Sequence, residues 1–116
     1  MEDLSRKFCV PCEAGTPALS VEQAEEMMAQ VPGWTLDDKK ITRRFRFKDF
    51  EEAMVFVNRV ADLAESEGHH PDIYISWNRV RLELTTHAIK GLSENDFIMA
   101  AKISLVPGGQ GSGVRD

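Results

Sequence analysis

A chain of 116 residues has the length of one domain, and 42% hydrophobic with 28% charged residues is the composition of a soluble globular protein with material for one core. Nineteen acidic against 14 basic residues leave a net charge of −5, which argues against a nucleic-acid-binding module. Two cysteines, Cys9 and Cys12, exclude a disulfide framework; no apolar run reaches the roughly 18 residues that span a bilayer, and the charged start MEDLSRK lacks the apolar stretch of a secretory signal. A cytoplasmic protein without membrane association is expected, with organelle targeting by a segment upstream of this sequence left open.

Residues 1–19 show no clear period, and PCEAGTP and PALS are turn material, so this stretch reads as a flexible N-terminal arm. PGGQGSGVRD reads as a flexible tail over 107–116, which leaves a working domain at 20–106. SVEQAEEMMAQV opens with Ser20 and has Gln23 three residues on, a capping box ahead of apolar residues at helical spacing, and Pro32-Gly33 ends it. Trp34 and Leu36 open a short strand. KITRRFRF alternates, with Ile41, Phe45 and Phe47 on one face, interrupted by Arg43, and Thr42, Arg44 and Arg46 on the other.

The clearest helix is KDFEEAMVFVNRVADLAESEG, capped at Asp49, with Phe50, Ala53, Met54, Val57, Val60, Ala61 and Ala64 as its apolar stripe and Gly68 just past its end. PDIYISW and VRLELTTH alternate and form a hairpin turning near Asn78-Arg79. GLSENDFIMAAKISLV is a last helix capped at Ser93. The order α-β-β-α-β-β-α with short turns predicts an α+β fold: a four-stranded antiparallel sheet with three helices packed on one face. The other face, carrying Arg44, Arg46, Tyr74, Arg81 and Glu83, stays wet.

Two of the three histidines, His69 and His70, stand side by side between Gly68 and Pro71. The glycine permits a sharp turn and the proline holds His70 extended. Glu65 lies in the last turn of the long helix, where a carboxylate opposes the helix dipole, a hint that it orients His69. A hairpin centred at 78–79 sets residue 87 roughly opposite 70, which brings His87 to the paired histidines; a one-residue slip spoils this. Three imidazoles with carboxylates suit acid–base chemistry near neutral pH. Two other readings stand beside it. Such a pair is often solvated or structural, and His69, His70, His87 and Glu65 are also zinc-ligand types, although HEXXH spacing is absent. Asp96, in SEND, is either a helix cap or a member of the site.

ESEGHHPDIYISWNRVRLELTTHAIKGLSENDF closely resembles the motif region of the pterin-4a-carbinolamine dehydratases, with Glu65, His69, His70, Pro71, Trp77, His87 and Asp96 filling the signature positions. Gly33-Trp34, FKDFEEA and GLSEND add to a resemblance over about residues 20 to 106. It implies the same fold, and a homodimer or homotetramer built from helices and edge strands. It also implies loss of water from a 4a-hydroxytetrahydropterin to give the quinonoid dihydropterin, in recycling of a tetrahydrobiopterin-type cofactor, with no metal and no other cofactor. By the resemblance His69, His70 and His87 are catalytic: His70 is the acid at the 4a-hydroxyl, His69, held by Glu65, its polar partner or base, and His87 a second proton-handling group. Glu65 and Asp96 support them. Trp34, Pro71 and Trp77 are substrate-side residues, with a core position as the equal alternative for Trp34.

Three rival readings remain. The family resemblance also implies a non-catalytic role as a dimerisation cofactor of a transcription regulator, for which the sequence marks no interface. KKITRRFRFK places Lys40, Arg44, Arg46 and Lys48 on one strand face, a nucleic-acid surface if not simply solvated, and the acidic total favours solvation. Cys9-x-x-Cys12 is either half of a zinc or redox pair or two free thiols on an arm, the latter preferred because no second pair exists.

Overall fold

The computed structural model describes residues 3–10 and 16–108. The helices are α1 (Val21–Met28), α2 (Phe50–Glu67) and α3 (Glu94–Leu105); the strands are β1 (Thr35–Asp37), β2 (Lys40–Arg46), β3 (Asp72–Ser76) and β4 (Arg79–Leu84). The strands form one antiparallel sheet in the order β1-β2-β4-β3, so the element order and sheet are those expected.

Alternation drives the sheet. Ile41 and Phe45 of β2 and Val80, Leu82 and Leu84 of β4 turn to the helices and are almost wholly buried, while Thr42, Arg44, Arg46, Arg79 and Arg81 take the other face. Arg43 lies on the core side and is half-buried there. Its guanidinium sits 4.9 Å from the Phe45 ring centroid, and its Nη1 donates to Ser104 Oγ at 3.3 Å. Burial pushes the Arg43 pKa down. Gly33, at φ +92, passes so close that a Cβ there would meet the guanidinium at 3.0 Å.

On α2 the buried residues are Ala53, Phe56, Val57, Val60 and Ala64. The stripe is thus rotated slightly from the expected one. Phe56 joins the core, with its ring 4.7 Å from that of Phe45, while Phe50 at the helix start stays 48% exposed. Ser20 and Gln23 form the capping box of α1, the Asp49 side chain accepts the Glu52 N–H, and Gly68 closes α2 at φ +69.

The hairpin differs from expectation by one position. Ser76 pairs with Arg79, so the turn is Trp77-Asn78, with Trp77 at φ +51. Asn78 locks it: its Nδ2 donates to the Phe47 carbonyl at 2.9 Å, and the Phe47 N–H donates to the Asn78 carbonyl at 2.8 Å. Carried past the strand ends, the Asp72–Glu83 register sets residue 70 opposite 85 rather than 87.

The middle of α3 is apolar on every side: Phe97, Ile98, Met99 and Ala100 are all buried. A helix of that kind needs cover on two faces. The sheet supplies one, and residues 3–10, read from sequence as part of an arm, supply another. A 3-10 turn, Leu4–Arg6, packs on α3 with Leu4 at 3% exposure.

Candidate active site

The histidine corner sits where α2, β3, β4 and α3 converge at one end of the sheet. Gly68 ends α2 by taking the left-handed conformation and donating its N–H to the Ala64 carbonyl at 2.9 Å. The next two residues then point apart, as adjacent residues of an extended chain must. His69 turns inward and its Nε2 lies 2.7 Å from Asp96 Oδ1. His70 turns outward, 58% exposed, and its Nε2 meets Glu65 Oε2. The expected pairing of Glu65 with His69 is therefore corrected: Glu65 holds His70, and Asp96 holds His69.

Asp96 is fully buried in the first turn of α3. Its second oxygen accepts the Thr86 hydroxyl and the Ser93 N–H, each at 2.9 Å. One oxygen of Asp96 thus serves the start of α3 and the other meets His69. A buried carboxylate surrounded by donors selects the His69 tautomer with its proton on Nε2. Nδ1 is then the basic nitrogen, and it has no hydrogen-bond partner among the described residues.

His87 begins a 3-10 turn, His87–Ile89, just past β4. It is exposed, and its ring has no hydrogen-bond partner among the described residues. It adjoins Thr86, whose hydroxyl reaches both Asp96 and, at 2.7 Å, Ser93 Oγ. Pro71 is buried beside His70. Trp77 is 63% exposed at the hairpin tip, at the far end of β3 and roughly 20 Å from the histidines. Trp34 is buried at 5% exposure among the core residues, with its Nε1 unpaired among the described residues. No group of three or more His, Cys, Asp or Glu among the described residues is arranged to hold a metal ion.

The N-terminal segment closes the back of this corner. Asn95, next to Asp96 and 4% exposed, accepts the Val10 N–H at 3.0 Å and donates to the Val10 carbonyl. Glu67, two residues before His69, accepts the Cys9 N–H at 2.9 Å and Lys102 Nζ at 2.7 Å. Lys102 in turn lies 4.5 Å from the Phe8 ring centroid, and Lys7 pairs with Glu94 at 2.7 Å. One strap thus ties the end of α2 to the start of α3, the two elements that carry Glu65 and Asp96. Burial first, and then the Glu67 charge, pushes the Cys9 thiol up to about 12, so it stays protonated at neutral pH. Cys12 lies outside the described residues. Neither Thr86 nor Glu67 stood out in the sequence; the all-round apolar character of α3 was the available signal that a further segment must cover it.

The sequence profile of the family described as Pterin 4 alpha carbinolamine dehydratase matches residues 17–106. The chain belongs to that family. A relative from Methylococcus capsulatus is 52% identical over 102 residues, covering 86% of this chain and 90% of its own. "Pterin-4-alpha-carbinolamine dehydratase 2, mitochondrial" of Arabidopsis thaliana is 49% identical over 110 residues, covering 90% of this chain and 59% of its own. Among solved structures, a transcriptional coactivator/pterin dehydratase from Brucella melitensis superimposes with TM-score 0.72 at 36% identity, covering 77% of this chain and 97% of the other. A pterin dehydratase-like RuBisCO assembly factor of the alpha-carboxysome, at 24% identity and TM-score 0.54, shares the fold. The Brucella structure thus shares this chain's fold. Among the described residues no helix is long and apolar enough to cross a membrane.

Proposed function

We propose that this chain dehydrates a 4a-hydroxytetrahydropterin to the quinonoid dihydropterin by histidine acid–base chemistry, in recycling of a tetrahydrobiopterin-type cofactor. The observation that carries this reading is the His69–Asp96 pair. A fully buried carboxylate orients an imidazole so that its free nitrogen is a base. The reaction breaks the C4a–O bond. Hydroxide is a poor leaving group, so a proton must reach that oxygen as the bond opens, and N5 must lose its proton to form the C=N bond. His70, exposed and paired with Glu65, is suited to deliver the first proton. His69 is suited to take the second. His87, free at the same end of the sheet, is a further proton-handling group. Such help accelerates a step by roughly 10²–10⁴-fold.

Stopped-flow dehydration of a 4a-hydroxypterin tests the reading. His69→Ala and His70→Ala, both folded, are expected to lose at least about ten-fold in rate, as general acid–base roles require. Rates equal to wild type would remove those residues from the mechanism.

Self-association belongs to the same reading. β3 is an edge strand with Tyr74 and Ile75 exposed, and α2 leaves Phe50 and Val55 exposed. An edge of this kind invites pairing with a second copy. Sedimentation is expected to show a dimer or tetramer. The Brucella relative's description as a coactivator gives a protein-binding role as the second reading, and exposed apolar α2 residues left uncovered after self-assembly would favour it.

A further inference from the structure

The open face of the sheet carries a feature that the histidine chemistry does not use. Arg44 stands directly opposite Arg81, and Arg46 directly opposite Arg79, on adjacent strands β2 and β4. Like charges set directly across an antiparallel pair destabilise it. The chain as a whole is acidic, with 19 carboxylate side chains, yet Arg44, Arg46 and Arg79 have no hydrogen bond or ion pair among the described residues. Arg81 lies 4.3 Å from the Tyr74 ring centroid, and its Nε forms an ion pair with Glu83 Oε2 at 3.3 Å without hydrogen-bond geometry. Glu83 is already shared with Lys40 at 3.3 Å.

Arg44, Arg79 and Arg81, with Tyr74 and Ser76, line an open hollow of about 300 Å³, and no acidic residue lines it. Guanidinium groups stay charged at every physiological pH and present forked donors that match the oxygens of phosphate. The tyrosine stacked under Arg81 restricts that fork, and the Ser76 hydroxyl adds a further donor. Edge-to-edge pairing along β3 uses backbone groups in the plane of the sheet, so a dimer of that kind leaves this face open.

We propose that this hollow is a binding site for a small metabolite carrying a phosphate or diphosphate group. Size favours a compact ligand, since the volume is at the lower end of small-molecule sites. Charge favours it too. Asp37, Asp72 and Glu83 stand on the same face of the sheet, and the net charge of −5 repels an extended polyanion while a local arginine cluster still holds a single anionic group.

The test uses the full-length protein and inorganic pyrophosphate, followed by calorimetry and by amide NMR. Saturable binding is expected, with shifts at Tyr74, Ser76, Arg79 and Arg81. Arg44→Gln and Arg79→Gln should each weaken it at least about ten-fold, given the strength of charge-assisted pairs, while Lys39→Gln, away from the hollow, binds as wild type does. In phosphate-free buffer of low ionic strength Arg44→Gln should melt no lower than wild type, because it relieves a like-charge pair. No saturable binding, equal binding by the arginine variants, or a lower melting point for Arg44→Gln would overturn the site. A 12-nucleotide single strand that shifts the same amides and binds more tightly than pyrophosphate would overturn it in favour of a nucleic-acid surface.

Discussion

Asp96 Oδ1 lies 2.7 Å from His69 Nε2, while Oδ2 of the same carboxylate accepts the Ser93 N–H that opens α3. One buried group therefore couples the start of a helix to the orientation of an imidazole. Moving either end moves the other.

That coupling separates two substitutions. Asp96→Asn keeps the volume and one accepting oxygen, which can serve Thr86 and Ser93, but turns an NH2 donor towards His69 in place of the carboxylate oxygen. It should lower kcat by at least about ten-fold with little change in melting. Asp96→Ala also strands the Thr86 hydroxyl and the Ser93 N–H, and should cost about 1–3 kcal/mol of stability. Stopped-flow rates beside denaturant unfolding distinguish the two. An Asp96→Asn enzyme as fast as wild type would leave Asp96 only its role at the helix start.

The outer pair behaves differently. His70 and Glu65 are 58% and 77% exposed, so water screens their attraction. Glu65→Gln should leave stability within about 0.5 kcal/mol of wild type. Its dehydration rate should nonetheless fall, because His70 loses the partner that orients it. Rates and chemical denaturation of the one variant check both halves.

Glu67 sets an acid limit on the strap. Burial raises its pKa, but the Cys9 N–H and the Lys102 ammonium outweigh that and hold the carboxyl below its ordinary range. A pKa lower in the folded than in the unfolded chain means stability that is complete above the unfolded value of about 4.3 and lost as pH falls through the folded value. Wild type should therefore lose more stability than Glu67→Gln between neutral pH and the acid range, and the gap between them should narrow as pH drops. Urea midpoints across pH measure it; parallel curves would show that Glu67 gains nothing from its ionised form.

Cys9 offers a direct reading of the same strap. With its thiol pushed up to about 12, the reactive thiolate is scarce at pH 8. Alkylation followed by peptide mapping should find Cys9 slow in the native protein and fast after unfolding. Asn95→Ala, which removes both side-chain bonds to Val10, should speed it in the native state.

The sequence by itself determined the elements and their order. Period-two runs in β2 and β4, the Ser20 and Asp49 caps, and the Gly68 stop are local, since a residue's neighbours in the chain decide backbone hydrogen bonding and which face turns inward. It also gathered Glu65, His69, His70 and Asp96 as site candidates, because a scarce residue type at a forced bend stands out without any coordinates. Which carboxylate meets which imidazole was decided by tertiary structure: extended residues alternate, so the inward ring belongs to α3 and the outward ring to α2. The hairpin turn at Trp77-Asn78 was likewise hidden, because Asn78 is held by Phe47, 31 residues away. The strap was hidden for the same reason. Residues 3–10 have no period of their own and take their place only because α3 leaves a second apolar side to cover.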